Sequence, residues 1–334
     1  MSRKLISKAL EVISGGALND WLPAPIAAEV IQVVQEINLM RGLVRSFTMN
    51  SRTVKRPKKT STLAAYYIPD GTTATPSEFT ASSVTWDAKK LMGYTMLDEE
   101  ALEDLETLPD VVSQVLSDFG IAIGIGEEQV MLTGDTTHLA TAQTPQAATT
   151  LNWYVHDARL MFTGIFTAAG DTGAATSVDA GGGAFDLELI NQAIYNLGVY
   201  GRIKSDLICL VPSEQATNIR ANSDFHDASA AGIAMASYLT GLGSAGEGSG
   251  TARGLVTPIY GIPVYEAPRA TSGEAVVYYK SSPLLGDRRR IKFKSAEVIE
   301  SDQRKYVVSE RIALNYEYDD ALCLIDDLST DIVS

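Results

Sequence analysis

From Thr60 to Thr85 the chain carries no lysine or arginine and only two acids, Asp70 and Glu78. Five cations, Arg52, Lys55, Arg56, Lys58 and Lys59, lie directly before it. The stretch is rich in Thr, Ser and Ala. The turn signal Pro69-Asp70-Gly71 separates Tyr66-Tyr67-Ile68 from a β-prone run, Ser83 to Trp86. This pattern predicts a long two-stranded ribbon over residues 55–97, with arms of about fifteen residues reaching ~50 Å at ~3.3 Å per residue. A lone ribbon cannot bury a face. A chain built around one must find the missing surface elsewhere, and another subunit is the expected supplier.

The rest of the chain is ordinary enough to fold. Its 334 residues suggest two domains at roughly 150 residues each. Apolar residues make up 45%, ample for a core, and charged residues 20%, too few for a disordered chain. Twenty-seven Lys and Arg against 41 Asp and Glu leave a net charge of −14. An acidic total argues against gripping nucleic acid over the whole surface, which requires an excess of cations. The longest apolar stretch, Phe119 to Ile125, is broken by glycines and runs into Glu127 and Glu128, far short of the ~20 residues that cross a bilayer. The first residues lack a secretory pattern, so a soluble protein made inside the cell, without a membrane partner, is expected.

Apolar spacing predicts helices over Ile26–Leu43 and over Pro109–Thr133, the latter roughly 25 residues and ~37 Å long, with Val112, Val115, Leu116, Phe119, Ile123 and Gly126 on one face. Close packing against neighbouring backbone is expected to offset Gly120, Gly124 and Gly126 inside it. Ala168–Ala184 and Gly241–Gly254 read as glycine-rich loops. Phe185-Asp186 opens another helix, with Asp186 as its N-cap and Leu187, Ile190, Ile194 and Leu197 as its buried stripe. Asp206–Val211 reads as a buried strand, Ser213–Ala221 as a helix, and Pro258–Tyr265, Ala275–Tyr279, Ile291–Lys294 and Tyr306–Tyr316 as strands.

Candidate chemistry is sparse. Cys209 and Cys323 sit in apolar runs and read as small buried hydrophobes. His138, His156 and His226 share no metal-ligand spacing, so no metal site and no cofactor are expected. Gly241-Leu-Gly243-Ser-Ala-Gly246 matches a dinucleotide fingerprint in letters, but a helix-like stretch precedes it where a strand is needed. His226 among Asp224 and Asp227 lacks an identifiable nucleophile and reads as a solvated helix end. Asp319-Asp320 and Asp326-Asp327 lack calcium-loop spacing and read as an exposed acidic rim. No catalytic constellation is present in this reading. Two basic groups remain, Arg52–Lys59 and Arg288-Arg289-Arg290-Ile-Lys292-Phe-Lys294. They suit either nucleic acid or acidic surfaces of identical copies, and the second is favoured. The second group alternates as a half-exposed strand would.

Taken in order, the N-terminal segment, the ribbon, Pro109–Thr133 followed by Gly134-Asp135, Asp206–Pro212, Ile259-Tyr-Gly-Ile-Pro-Val264, Gly241–Gly254 and the β-rich stretch Ala275–Asp327 resemble the major capsid proteins of tailed bacteriophages with the Hong Kong 97-like fold, which encapsulin nanocompartments share. The resemblance implies an α+β chain with an N-terminal arm (1–54), an extended loop (55–97), a peripheral domain (98–184 and 275–334) including a spine helix (109–133), and an axial domain (185–274).

It further implies a structural role in place of catalysis: pentamers and hexamers closing into an icosahedral shell around double-stranded DNA, or, as the alternative, an encapsulin-like compartment. Inter-subunit contacts are expected from Arg52, Lys55, Arg56, Lys58, Lys59, Tyr66, Tyr67, Ile68, Phe79, Arg288, Arg289, Arg290, Lys292 and Lys294. Some members weld neighbours through a loop lysine and an asparagine; here Asn315 is available but the loop tip has no lysine, so no cross-link is expected. With the ribbon starting near residue 55 there is no room for a long cleavable scaffolding segment, and a separate scaffolding protein is expected. A portal protein and a decoration protein are the other partners the resemblance implies, in a virion assembled in the bacterial cytoplasm.

Overall fold

A computed structural model describes residues 38–61, 76–98, 111–136, 158–171, 177–221 and 254–331, with a few positions between 62 and 75. The chain divides into two compact units: residues 1–38, 89–127 and 289–312 in one, residues 39–88, 128–288 and 313–334 in the other. In chain order the elements are helix α1 (Met40–Leu43), strands β1 (Arg45–Thr48), β2 (Thr53–Lys59), β3 (Ala81–Asp87) and β4 (Lys89–Asp98), and helices α2 (Val111–Thr133) and α3 (Ile165–Asp171). There follow β5 (Ser177–Asp179), α4 (Leu187–Asn196), β6 (Leu207–Val211), α5 (Ser213–Ala221), β7 (Leu255–Ile259), β8 (Ile262–Glu266), β9 (Ala275–Tyr279), β10 (Pro283–Val298), β11 (Gln303–Tyr316) and β12 (Leu322–Asp326). Of these, α2, β10 and β11 are shared between the units along their length.

The first unit is built on the pairing of β4 with β11, antiparallel from Lys89↔Ile312 to Asp98↔Gln303, with the distal part of β10 on the other side of β11. Its core lies under one sheet face, where Gly93 stands opposite Val308. A β-carbon on Gly93 would come within 3.3 Å of the Phe119 ring, so the missing side chain lets the helix approach the sheet. Asn38 Nδ2 ties the segment before α1 to the helix, donating to Gly124 O and Glu127 Oε2, both at 3.1 Å.

The second unit centres on a six-stranded mixed sheet in the order β5-β12-β9-β6-β8-β7. All five residues of β6 are buried, as a central strand covered on both faces requires. Leu207, Cys209, Val211, Val264, Val277, Cys323 and Ile325 point to the face packed by α4 and α5, whose Ile190, Ala193, Leu197, Ala216 and Ile219 complete that core. On the other face α3 packs on β12, with Gly170 lying against Leu324. Asp186 caps α4 by accepting from Leu187 N, and Phe185 is buried beside it, as the sequence predicts.

Several expectations change. The ladder of the ribbon runs from Thr53↔Asp87 to Lys59↔Ala81, about 24 Å per arm, and Lys89–Asp98 leaves it to pair with β11. Alternation marks a strand but not its partner, so 55–97 as one ribbon overreaches. Pro258–Tyr265 is two strands, because Tyr260 (φ 52°) and Gly261 (φ 83°) form a two-residue turn with both central residues left-handed. The loop reading of 168–184 misses the end of α3 and all of β5.

Arg290–Glu297 is exposed throughout, not half-buried. Among the described residues, a β-carbon at Gly120 would meet nothing within 4 Å and one at Gly124 only Asn38 Cβ at 3.9 Å, so none of their backbone packs closely on these two glycines. The close backbone approach is at the helix end instead. A β-carbon on Gly164 would sit 2.5 Å from both Gly134 N and Leu132 O, while Gly164 N donates to Gly134 O at 2.7 Å. The predicted helix over 26–43 falls mainly outside the described residues, as do Pro109, Asp110, the three histidines and the 241–253 loop. Asp319, Asp320 and Asp327 are exposed and Asp326 half-buried.

Both cysteines are fully buried free thiols. Burial pushes each up to about 12, the neighbouring Cys323 adding to the effect at Cys209. A thiol raised on folding contributes stability that is intact below the unfolded value near 9 and is lost as pH climbs toward 12.

These glycines and thiols set outcomes for the unassembled subunit. Gly164→Ala should destabilise it by more than about 2 kcal/mol, while Gly120→Ala should stabilise it by about 0.5–1 kcal/mol, both read by urea unfolding. Between pH 9 and 10 the wild type should lose about 1 kcal/mol per buried thiol, and Cys209→Ala should show a shallower decline.

Candidate assembly surfaces

The base of the ribbon is held by side chains from one face of its ladder. Val54, Arg56 and Lys58 alternate inward on β2, opposite Trp86, Val84 and Ser82 of β3. Trp86 is fully buried and donates Nε1 to Leu284 O at 3.0 Å. Phe47 meets it edge-on, with ring centroids 5.7 Å apart. The Arg56 guanidinium lies 4.3 Å from the Phe47 ring centre and 5.6 Å from that of Trp86, and pairs with Glu317 Oε1 at 2.9 Å. The other oxygen of Glu317 takes Arg45 at 2.7 Å, so one carboxylate bridges two cations. Lys58 reaches Asp319 Oδ2 at 3.3 Å and lies over Tyr318.

Tyr318 packs with Tyr200 and Tyr279, and burial with the nearby Asp320 raises the Tyr200 phenol. Asn315 donates to Thr85 O and accepts from Tyr316 N, each at 2.8 Å, so its amide is engaged at the same base.

Farther out the ribbon changes character. Thr60 and Thr80 continue the pairing through main chain and hydroxyls. Beyond them Leu63 and Phe79 are exposed, and Tyr67 is 91% exposed. Tyr66 and Ile68 lie outside the described residues. Of the first basic group, then, Arg56 and Lys58 act within the chain, Arg52 meets Asp87 at 3.3 Å, Lys59 lies over Phe79, and Lys55 is exposed. In the second, Arg288 donates to Met49 O at 3.3 Å and Arg289 to Ser309 Oγ at 2.6 Å, whereas Arg290, Lys292 and Lys294 face solvent.

The sequence reading missed a third surface. On the sheet of the first unit, the face turned away from α2 carries Met92, Tyr94 and Met96, all exposed, with Lys305 4.5 Å from the Tyr94 ring centre. The signal was the alternation Met92-Gly-Tyr94-Thr-Met96, hidden while those residues counted as ribbon. In the second unit Tyr195 near the end of α4, and Val199 and Ile203 beyond it, are also exposed.

A clamped ribbon base, exposed Leu63, Tyr67 and Phe79 beyond it and exposed apolar sheet residues suit a subunit, and the sequence comparison agrees: residues 19–327 match the model of the phage capsid family. The chain belongs to that family. Its fold is similar to the capsid of a native GTA particle (TM-score 0.63, 13% identity, covering 94% of this chain and 98% of that one). It is also similar to structures from Microbacterium phage Oxtober96 (0.60, 17%, 92% and 97%) and Mycobacterium phage Adephagia (0.59, 13%, 96% and 99%). No curated protein matches. The fold is therefore the α+β, Hong Kong 97-like one that the resemblance implied, and the chain is a structural capsid protein of a virion shell. The encapsulin-like alternative is not favoured. No helix among the described residues is long and apolar enough to cross a membrane.

Glu317→Gln should loosen the ribbon base without unfolding the subunit. Both of its arginines are partly solvated, so the loss should be about 1 kcal/mol. Hydrogen exchange at Thr53–Lys59 should then quicken roughly fivefold while β6 and β9 stay protected.

Proposed function

We propose that this capsid protein forms pentamers and hexamers that close into an icosahedral head around double-stranded DNA, each ribbon lying across a neighbouring copy. The observation carrying the reading is the contrast along the ribbon: a base fixed by Trp86, Arg56 and Glu317, then apolar groups, Leu63, Tyr67 and Phe79, that stay mostly exposed. Burying them against a neighbour would add ~25 cal/mol per Å² of apolar surface. The basic groups that remain exposed, Lys55, Lys59, Arg290, Lys292 and Lys294, suit acidic surfaces of other copies of a chain whose net charge is −14. That net charge also suits a shell that does not grip packaged DNA.

A separate scaffolding protein, a portal protein and a decoration protein would complete the head, with assembly in the bacterial cytoplasm. One structure of similar fold is a satellite phage P4 procapsid that includes a size determination protein, which shows one shell of this fold built with an accessory protein.

Deleting Ala65–Thr80 should leave a soluble subunit with an unchanged far-ultraviolet spectrum that forms no shells in velocity sedimentation and negative-stain images. Shells of normal size from the deletion would overturn the role given to the ribbon.

A further inference from the structure

Among the described residues, strand β10 has one open edge. Strand β1 pairs with it from Leu284 to Asp287 and stops, while β11 occupies the opposite side. Beyond Asp287 the strand runs on to Val298, and among the described residues no strand lies along that edge. Every residue from Arg290 to Glu297 is exposed. Arg289 turns to Ser309 on one side of the sheet; Arg290, Lys292 and Lys294 alternate to the other side and have no carboxylate partner among the described residues. A long row of unpaired N–H and C=O groups invites another strand, and cations along it reject a basic or like-charged edge. The strand that fits must be acidic.

One segment of this chain has that chemistry. Residues 99–106 hold Glu99, Glu100, Glu103, Asp104 and Glu106 with no cation, an acidic run to set against the exposed cations Arg290, Lys292 and Lys294. Of the acids in 317–319, Glu317 is taken by Arg45 and Arg56 and Asp319 by Lys58. We propose that the open edge of β10, from Arg289 to Val298, is the docking site for the acidic segment 99–106 of a second copy. Main-chain pairing supplies the affinity and the matched charges choose partner and direction. This rests on the shell-subunit reading and names one contact within it.

Charge reversal separates the outcomes. Under conditions in which the wild type forms particles, the triple variant Arg290→Glu, Lys292→Glu, Lys294→Glu should need at least about tenfold more protein to assemble. The triple variant Glu99→Lys, Glu100→Lys, Glu103→Lys should show the same loss. The two sets combined should restore assembly. The melting temperature of the unassembled subunit should not move in any of them, and milder Gln replacements of the three cations should weaken assembly in the same direction. Assembly of either triple variant at the wild-type concentration overturns the proposal, as does failure of the combination to restore particles. A subunit melting temperature that falls with one set and recovers with both means the pairing is within one chain, and also overturns it. A wild type that sediments as a 35.8 kDa monomer at every concentration overturns the shell reading itself and this contact with it.

Discussion

A two-stranded ribbon has two faces and no core, so its direction in space is set where it leaves the body of the molecule. Here that point is Trp86. Its indole is buried and hydrogen-bonded to Leu284 O, and its ring is braced by Phe47 and the Arg56 guanidinium. Glu317 holds Arg56 and Arg45 together, and Asn315 fixes the carbonyl of Thr85. These partners come from widely separated parts of the sequence, so the ribbon can be aimed only after the surrounding unit has folded. Its outer part keeps its apolar groups exposed, which is costly for a monomer and useful for a subunit.

Charge is divided in the same way. A net charge of −14 suggests a uniformly acidic surface, yet the cations are clustered in sequence and used for two purposes. Those on the inward face of β2 neutralise acids of the same chain and hold the ribbon base. Those on the outer part of β10 stay in solvent. Exposed charges are worth little for stability, so the second set contributes little to the fold.

Much of the fold was legible because it rests on local periodicity. The long helix, the cap at Asp186 with its stripe of Ile190 and Leu197, the buried strand Leu207–Val211 and the strand Ala275–Tyr279 all follow from spacing and composition. The failures share a cause. Lys89–Asp98 has the alternation of a ribbon arm but pairs with β11, and Pro258–Tyr265 reads as continuous β until a turn at Tyr260-Gly261 divides it. Gly120 and Gly134 look alike in the sequence, yet one meets nothing among the described residues and the other meets the backbone of Phe162 and Gly164. The candidate surfaces were half legible: the basic groups stand out as letters, whereas Met92, Tyr94 and Met96 became a surface only when their strand was placed in its sheet.

The sequence by itself determined that this chain is a packed α+β protein with a charge-poor reaching segment, a long helix and no metal or nucleophile pattern, and its family could be recognised from the order of those parts. Periodicity, turn chemistry and charge act over a few residues, and so they can be read directly. Only the tertiary structure decided which strand pairs with which, which cations are neutralised internally and which stay exposed, and where a glycine is required by touching backbone. Those outcomes depend on contacts between residues up to 272 positions apart, as between Arg45 and Glu317, and no local pattern encodes which of many chemically suitable partners is met.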